Sequence, residues 1–178
     1  MVIETIRDYK LDFFAISETG KANFSAPFLN KLSGGFDFLW YCLRPQGRSG
    51  GMLVGINSTS LHVMSVSHGD RCVKFKLRSK SDGFEWSLVS VYGAAQDDKR
   101  HEFLAELARI CDNDSQPMLV GGDFNIIRRK EDKNNDNFDP RWPFMFNAII
   151  KSLDLREIAL SRRHLRGLVE ETIKPTKN

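Results

Sequence analysis

The sequence has no long apolar run and few cysteines, and each scarcity excludes a class of protein. No hydrophobic stretch approaches the roughly 20 residues that a membrane-spanning helix needs, and Met1-Val2-Ile3-Glu4 does not begin a signal peptide. Cys42, Cys72 and Cys111 are odd in number and lack the two-residue spacing typical of zinc sites. We therefore expect a soluble intracellular protein with reduced, mostly buried thiols and no membrane partner.

The excess of positive charge is small. Lys and Arg total 26 against 23 Asp and Glu, which gives a net charge of +3 and an isoelectric point near 8.8. Such a charge favours approach to a polyanion but does not identify nucleic acid as the partner. At 178 residues, 41% of them hydrophobic, the chain has the composition of one globular domain or part of one.

Hydrophobic periodicity predicts a mixture of helices and strands. Helices are expected over residues 2–10 and 97–111 and from about Pro143 onward, with a polar loop at 131–139. The predicted strands are, in chain order, 13–16, 36–43, 52–57, 62–67, 72–77, 85–92 and 117–120. Because short strands follow one another closely, much of the sheet should be antiparallel, and the class is α/β or α+β.

Three predicted strands end in residues suited to metal and phosphate chemistry. Glu18 follows the first, Tyr92 ends the sixth and Asp123 follows the seventh, and open α/β sheets build their sites at strand ends. In Gly121-Gly122-Asp123-Phe124-Asn125 the glycines allow close approach of a ligand, and Asp123 and Asn125 face the same way. Since Mg²⁺ keeps several waters, one or two carboxylates and a substrate phosphate suffice to bind it, and Glu18 can supply one.

Four sequence blocks occur in an informative order and spacing. They are Asp12-Phe13-Phe14-Ala15-Ile16-Ser17-Glu18-Thr19, Gly47-Arg48-Ser49-Gly50-Gly51-Met52, Val91-Tyr92-Gly93 followed by Arg100 and Phe103, and Gly121-Gly122-Asp123-Phe124-Asn125-Ile126-Ile127-Arg128. Together they resemble the endonuclease/exonuclease/phosphatase superfamily of magnesium-dependent phosphodiesterases, which includes DNase I, exonuclease III and apurinic endonucleases.

The second and fourth blocks are most similar to the endonuclease of plant LINE-type retrotransposons. So are Asn147-Ala148-Ile149-Ile150, Leu155-Arg156-Glu157-Ile158 and Leu160-Ser161, and the resemblance covers roughly residues 10–161. It implies a sandwich of two mainly antiparallel sheets flanked by helices. It also implies hydrolysis of DNA phosphodiesters with Mg²⁺, or alternatively Mn²⁺, and without a small-molecule cofactor.

The resemblance further implies roles for the matching residues. Glu18 resembles the family's metal-binding glutamate and Tyr92 its phosphate-contacting tyrosine, while Asp123 resembles the catalytic aspartate and Asn125 its companion asparagine. In the parent element a reverse transcriptase would be the partner protein. A DNA substrate would imply a nuclear location.

The sequence departs from the family pattern at both ends. The family begins with a strand ending in Trp-Asn and finishes with strands carrying Ser-Asp-His, and neither has a counterpart here. The histidines His62, His68, His101 and His164 all lie away from the expected position. We therefore expect a partial domain over 1–161, lacking its first and C-terminal strands, with impaired turnover. The tail, 162–178, looks unrelated. Our hypothesis for it is a one-base frameshift, because with permitted codons for His164 onward the other frame can read the family's Phe-Thr-Trp.

The candidate residues also have purely structural interpretations. Glu18 could be a solvated turn carboxylate, Asp123 and Asn125 ordinary turn residues, and Tyr92 an aromatic at a strand end.

The basic run just beyond Asn125 has two interpretations of equal weight. Arg128, Arg129 and Lys130 either meet nucleic-acid phosphates or form an ordinary solvated surface.

For the whole chain, two alternatives to an endonuclease remain open. One is a nonenzymatic transposon relic that binds at most nucleic acid or protein, and the other is a phosphatase of the same superfamily acting on small phosphate esters.

Overall fold

A computed structural model describes most of the chain, which divides into two compact units. The described residues are 2–45, 50–112, 114–132, 138–158 and 172–173. The first unit comprises Met1–Val66 and Phe75–Glu85, and the second comprises Ser67–Lys74 and Trp86–Asn178. Glu18 therefore belongs to the first unit, whereas Tyr92 and Asp123 belong to the second.

The described residues form four α-helices and nine strands. The helices are α1 (Val2–Tyr9), α2 (Ala26–Leu32), α3 (Asp97–Cys111) and α4 (Arg141–Ser152), and a single 3-10 turn spans Lys130–Asp132. The strands are β1 (Phe13–Ser17), β2 (Phe38–Leu43), β3 (Met52–Asn57), β4 (Leu61–His68), β5 (Cys72–Ser79), β6 (Glu85–Tyr92), β7 (Met118–Asp123), β8 (Arg156–Glu157) and β9 (Thr172–Ile173). One sheet has the order β1-β3-β2 and the other β4-β5-β6-β7-β9-β8. The predicted class, two sheets flanked by helices, is confirmed.

In the three-stranded sheet, β3 is the central strand and pairs antiparallel with β1 and β2. Every residue of β3 is buried. Gly55 at its centre lies under two aromatic rings, because a Cβ there would come within 2.9 Å of Trp40 and 3.0 Å of Phe14. The ring centroids of Phe14 and Trp40 are 5.6 Å apart and nearly perpendicular, an arrangement that aromatic pairs favour. The glycine therefore makes room for an aromatic layer over the strand.

The short helix α2 is absent from the sequence-based prediction. Ser25 caps it by accepting a hydrogen bond from the Phe28 N–H at 3.4 Å, and Leu32 is its buried residue. A helix of seven residues spans about two turns, too few for apolar periodicity to be visible. By contrast, β7 extends beyond its predicted end to Asp123, because its pairing with β6 continues through the glycines.

In the second unit, β6 and β7 run parallel, with Leu88 opposite Leu119 and Tyr92 opposite Asp123. Helices α3 and α4 supply much of the core that contains the apolar side chains of these strands, including Val89 and Val120. Parallel strands are normally covered by the helices that connect them. The carboxyl ends of β6 and β7 are thereby held side by side.

Some of the sequence-based expectations concern residues that the structure does not describe. Three stretches lie outside the described residues: Gly47, Arg48 and Ser49, residues 133–137 of the polar loop, and the tail 162–178 apart from Thr172–Ile173.

All three thiols are free, with Cys72 and Cys111 buried and Cys42 exposed. Burial raises the pKa of the Cys72 thiol, which keeps it in the unreactive protonated form. No helix among the described residues is long and apolar enough to span a bilayer.

A buried ion pair ties β5 to the segment after α3. Lys74 Nζ lies 2.8 Å from Asp114 Oδ2, and their side chains are 10% and 2% exposed. Lys74 also donates to the Ile110 carbonyl, while Asp114 accepts from the Ser87 hydroxyl at 2.6 Å and the Gln116 N–H at 3.1 Å. Burial by itself would raise the pKa of Asp114, but the hydrogen bonds from Lys74, Ser87 and the Gln116 amide hold that pKa at about 2.

We expect this network to make the free energy of unfolding sensitive to acid. The pKa of the Asp114 carboxyl falls from its ordinary 3.8 to about 2 on folding, so its charged form stabilises the folded state by about 2 kcal/mol. That contribution is complete above about pH 4 and is lost as the pH falls through about 2. Urea unfolding of the wild type and Asp114→Asn should show a stability difference that shrinks over this range.

The exposed carboxylate of Glu102, 70% accessible, provides the control for this experiment. Glu102→Gln should show no comparable acid-dependent loss, since exposed ion pairs contribute little. A difference between wild type and Asp114→Asn that stayed constant with pH would contradict the assignment.

Candidate active site

Tyr92 and Asp123 are direct neighbours across two parallel strands. They are the last residues of β6 and β7, and the strand register pairs them. Asp123 is exposed and Tyr92 half-buried, and the Tyr92 N–H donates to the Arg71 carbonyl at 2.9 Å. The structure therefore brings together two of the residues that the sequence analysis selected.

The chain after Asp123 turns back onto the Asp123 side chain. The Asn125 N–H donates to Asp123 Oδ1 at 2.9 Å, a turn typical of aspartate. Asn125 has a φ of 52°, in the left-handed region that asparagine tolerates better than most residues. The turn fixes the orientation of the Asp123 carboxylate, so the structural and catalytic interpretations of Asp123 are compatible.

Asn125 is also attached to the end of the neighbouring strand. Its side-chain Nδ2 donates to the Gly93 carbonyl at 3.0 Å, and the Gly93 N–H donates to the Asp123 carbonyl at 2.6 Å. A Cβ at Gly93 would overlap the Phe124 backbone, so this approach requires glycine. This role of Gly93 is not visible in the sequence, because a contribution through backbone atoms leaves no side-chain pattern.

Gly122 has a similar steric role one residue before Asp123. Its φ is 143°, and a Cβ there would overlap the Val91 carbonyl on β6. The sequence predicts that Gly121 and Gly122 let a ligand approach the backbone. In the structure the close neighbour of Gly122 is β6 itself.

Arg100 supports the connection between β6 and α3. Its Nε and Nη2 donate to the carbonyls of Ala94 and Ala95, each at 3.4 Å, and its Nη1 lies 2.6 Å from Asp97 Oδ1. Its guanidinium also lies over the buried Trp142 ring, 5.6 Å from the centroid. These contacts hold the backbone that immediately follows Gly93.

In the first unit, Glu18 lies at the end of β1 beside the described glycines of the second block. The residue is exposed and has a φ of 57°. The N–H groups of the next two residues, Thr19 and Gly20, donate to the carbonyls of Gly51 and Gly50 at 3.3 and 2.9 Å. Two blocks that are distant in sequence are therefore adjacent in this unit.

The donor chemistry of the candidate residues fits a hard cation. Glu18 and Asp123 present exposed carboxylates, and Mg²⁺ prefers oxygen ligands, with one or two protein carboxylates and several waters. Within the described ranges, no group of three or more His, Cys, Asp and Glu residues lies together in a way that could hold a metal ion. Glu18 stays the candidate metal ligand and Asp123 the candidate catalytic residue.

The basic run does not form a uniform surface. Arg128 is half-buried and bonded to Asn147 and Glu157, whereas Arg129 and Lys130 are exposed. Asn147 and Glu157 lie 19 and 29 residues from Arg128, so no local pattern in the sequence pairs them with it. Contact between the run and nucleic acid stays a prediction.

Comparison with known proteins identifies a family by sequence and a fold by structure. The sequence model of the Endonuclease/Exonuclease/phosphatase family matches residues 1–168. No curated protein matches the chain at a significant level by sequence.

Three solved structures illustrate the fold likeness. The chain is similar to an AP endonuclease from Archaeoglobus fulgidus, with a TM-score of 0.66 and 15% identity over 97% of this chain and 79% of that one. It is similar to the human Nocturnin catalytic domain, with a TM-score of 0.65 and 13% identity over 97% and 73%. The mannosyl-6-phosphatase of Bacteroides thetaiotaomicron gives a TM-score of 0.63 and 11% identity over 98% and 75%.

We expect Gly122→Ala to destabilise the protein more than a change at another glycine with positive φ. Gly35 has a φ of 99° but nothing within 4 Å of its would-be Cβ, whereas a Cβ at Gly122 would overlap the Val91 carbonyl. Both variants incur backbone strain, but only Gly122→Ala forces two strands apart, at an added cost of about 1–3 kcal/mol. Urea unfolding measures the difference, and equal losses for Gly122→Ala and Gly35→Ala would refute the steric argument.

Proposed function

Because the chain belongs to the endonuclease/exonuclease/phosphatase family, we propose that it cleaves DNA phosphodiesters with Mg²⁺, as the endonuclease of a LINE-type retrotransposon. The observation that carries this proposal is the pairing of Tyr92 with Asp123 at two strand ends, with Asn125 hydrogen-bonded to both Asp123 and Gly93. The retrotransposon assignment rests on the glycine block and on Gly121-Gly122-Asp123-Phe124-Asn125-Ile126.

In the proposed reaction, Asp123 transfers a proton at the attacking or the leaving oxygen of the phosphodiester. Its Oδ1 is already oriented by the Asn125 N–H, so little reorganisation is needed when substrate binds. An amide nitrogen carries two hydrogens. Asn125 can therefore keep its bond to Gly93 and donate a second bond to the phosphate. The Tyr92 hydroxyl can donate a further hydrogen bond to the phosphate.

Glu18 is proposed to hold the metal because its place in the sequence resembles that of the family's metal-binding glutamate. When bound, Mg²⁺ supplies positive charge that offsets the negative charge building on the phosphate oxygens. DNA is the proposed partner, together with the reverse transcriptase of the parent element, and the nucleus is the proposed location.

Nicking of supercoiled plasmid tests the endonuclease proposal. Purified protein should convert plasmid to open circles with Mg²⁺ or Mn²⁺ and should stop when EDTA is added. Asp123→Ala should lower the rate by about 100-fold or more, because removing a group that transfers a proton costs about that much. Asp98→Ala, which removes an exposed carboxylate in the first turn of α3, should nick at the wild-type rate.

The same preparations separate the alternatives. Hydrolysis of p-nitrophenyl phosphate without plasmid nicking would overturn the endonuclease in favour of a phosphatase acting on small esters. A folded protein that performs neither reaction would be a nonenzymatic relic, and gel-shift measurements would show whether it still binds DNA.

A further inference from the structure

Two consecutive residues of α4 hold the two ends of the loop that carries Asn125. Phe146 packs on Phe124, with ring centroids 5.0 Å apart, and both side chains are buried. The amide of the next residue, Asn147, contacts Arg128 twice. Its Oδ1 accepts from Arg128 Nε at 2.9 Å, and its Nδ2 donates to the Arg128 carbonyl at 3.1 Å.

A second residue, Glu157, also anchors the Arg128 side chain. Its Nη1 donates to Glu157 Oε2 on β8 at 2.6 Å, and its side chain is 20% exposed. The planar guanidinium offers Nε and Nη1 in a fixed relative geometry, and here each serves a different partner. The single ammonium of lysine cannot reproduce both bonds.

The neighbouring basic residues are placed differently. Arg129 shares Glu157 Oε2 at 3.1 Å, but its side chain is 62% exposed, and an ion pair of this kind contributes little. Lys130 is exposed in the 3-10 turn. Of the basic side chains in this run, that of Arg128 is therefore the one that is half-buried and hydrogen-bonded to both Asn147 and Glu157.

We propose that Arg128 is a positioning residue, which acts with Asn147 to hold the Asp123–Asn125 turn in place, and that contact with DNA phosphates falls to Arg129 and Lys130. The catalytic part of this inference rests on the proposed function. Between β7 and the 3-10 turn the loop belongs to no strand or helix. Its course consequently depends on the buried Phe124 and Ile126 and on the bonds to Arg128.

Hydrogen exchange tests the brace without requiring activity. In Arg128→Lys and in Asn147→Ala, amide exchange across residues 122–128 and at Gly93 should accelerate by about tenfold, the size expected when a charge-assisted hydrogen bond is lost. Arg129→Lys serves as the matched control and should exchange as the wild type does. Asn147→Ala keeps the test valid if Arg128→Lys folds poorly, because it removes the bonds from α4 and leaves Arg128 itself unchanged.

Kinetics and binding test the catalytic consequence. Arg128→Lys and Asn147→Ala should lower kcat for plasmid nicking by about 10- to 100-fold, with little change in DNA affinity measured by fluorescence anisotropy in EDTA. Arg129→Gln should weaken binding and reduce its salt dependence. Because Arg128→Lys keeps the positive charge, it separates a positioning role of Arg128 from contact with DNA phosphate.

The proposal is overturned if Arg128→Lys leaves both exchange and kcat unchanged while Arg128→Gln weakens DNA binding, because Arg128 would then contact phosphate. If the wild type shows no nicking, the endonuclease proposal fails. The exchange data still decide whether Arg128 braces the loop.

Discussion

The parallel pairing of β6 with β7 is the contact on which the candidate site depends. It places Tyr92 beside Asp123 at the strand ends, and the backbones remain close there because Gly93 and Gly122 have no Cβ to separate them. Parallel strands require a crossover connection, which α3 provides. The core of the second unit and the geometry of its site thus both depend on the β6–β7 pair and on the helix α3 that connects the two strands.

Apolar anchors support the polar groups of the site. From the last residue of β7 onward, Asp123 is exposed, Phe124 buried, Asn125 half-buried and Ile126 buried again. Each polar residue therefore stands next to one that packs into the core with α3 and α4. Because a well-packed core resists displacement, this alternation holds a carboxylate and an amide at the surface with little freedom to move.

Adjacent residues of like charge occupy different environments in this protein. Arg128 and Arg129 share Glu157 as a partner, yet one is bound between α4 and β8 and the other faces solvent. Hydrogen bonds to a half-buried, planar guanidinium constrain geometry, whereas an exposed pair is screened by water and salt. A basic run in a sequence consequently cannot be treated as a single functional surface.

The sequence by itself determined strands β1 to β7, but not the two-residue strands β8 and β9. It also determined the longer helices and the identity of Glu18, Tyr92, Asp123 and Asn125 as candidates, because periodicity and motif wording are local properties of a chain. It did not reveal α2, which is too short for a periodic pattern, or the extension of β7, which depends on a partner strand. Only the tertiary structure decided that the Gly93 carbonyl holds Asn125 and that Asn147 and Glu157 hold Arg128. Those bonds join groups that are far apart in sequence and in part involve backbone atoms, and such pairings arise only when the packing of β6, β7 and α4 brings the groups together.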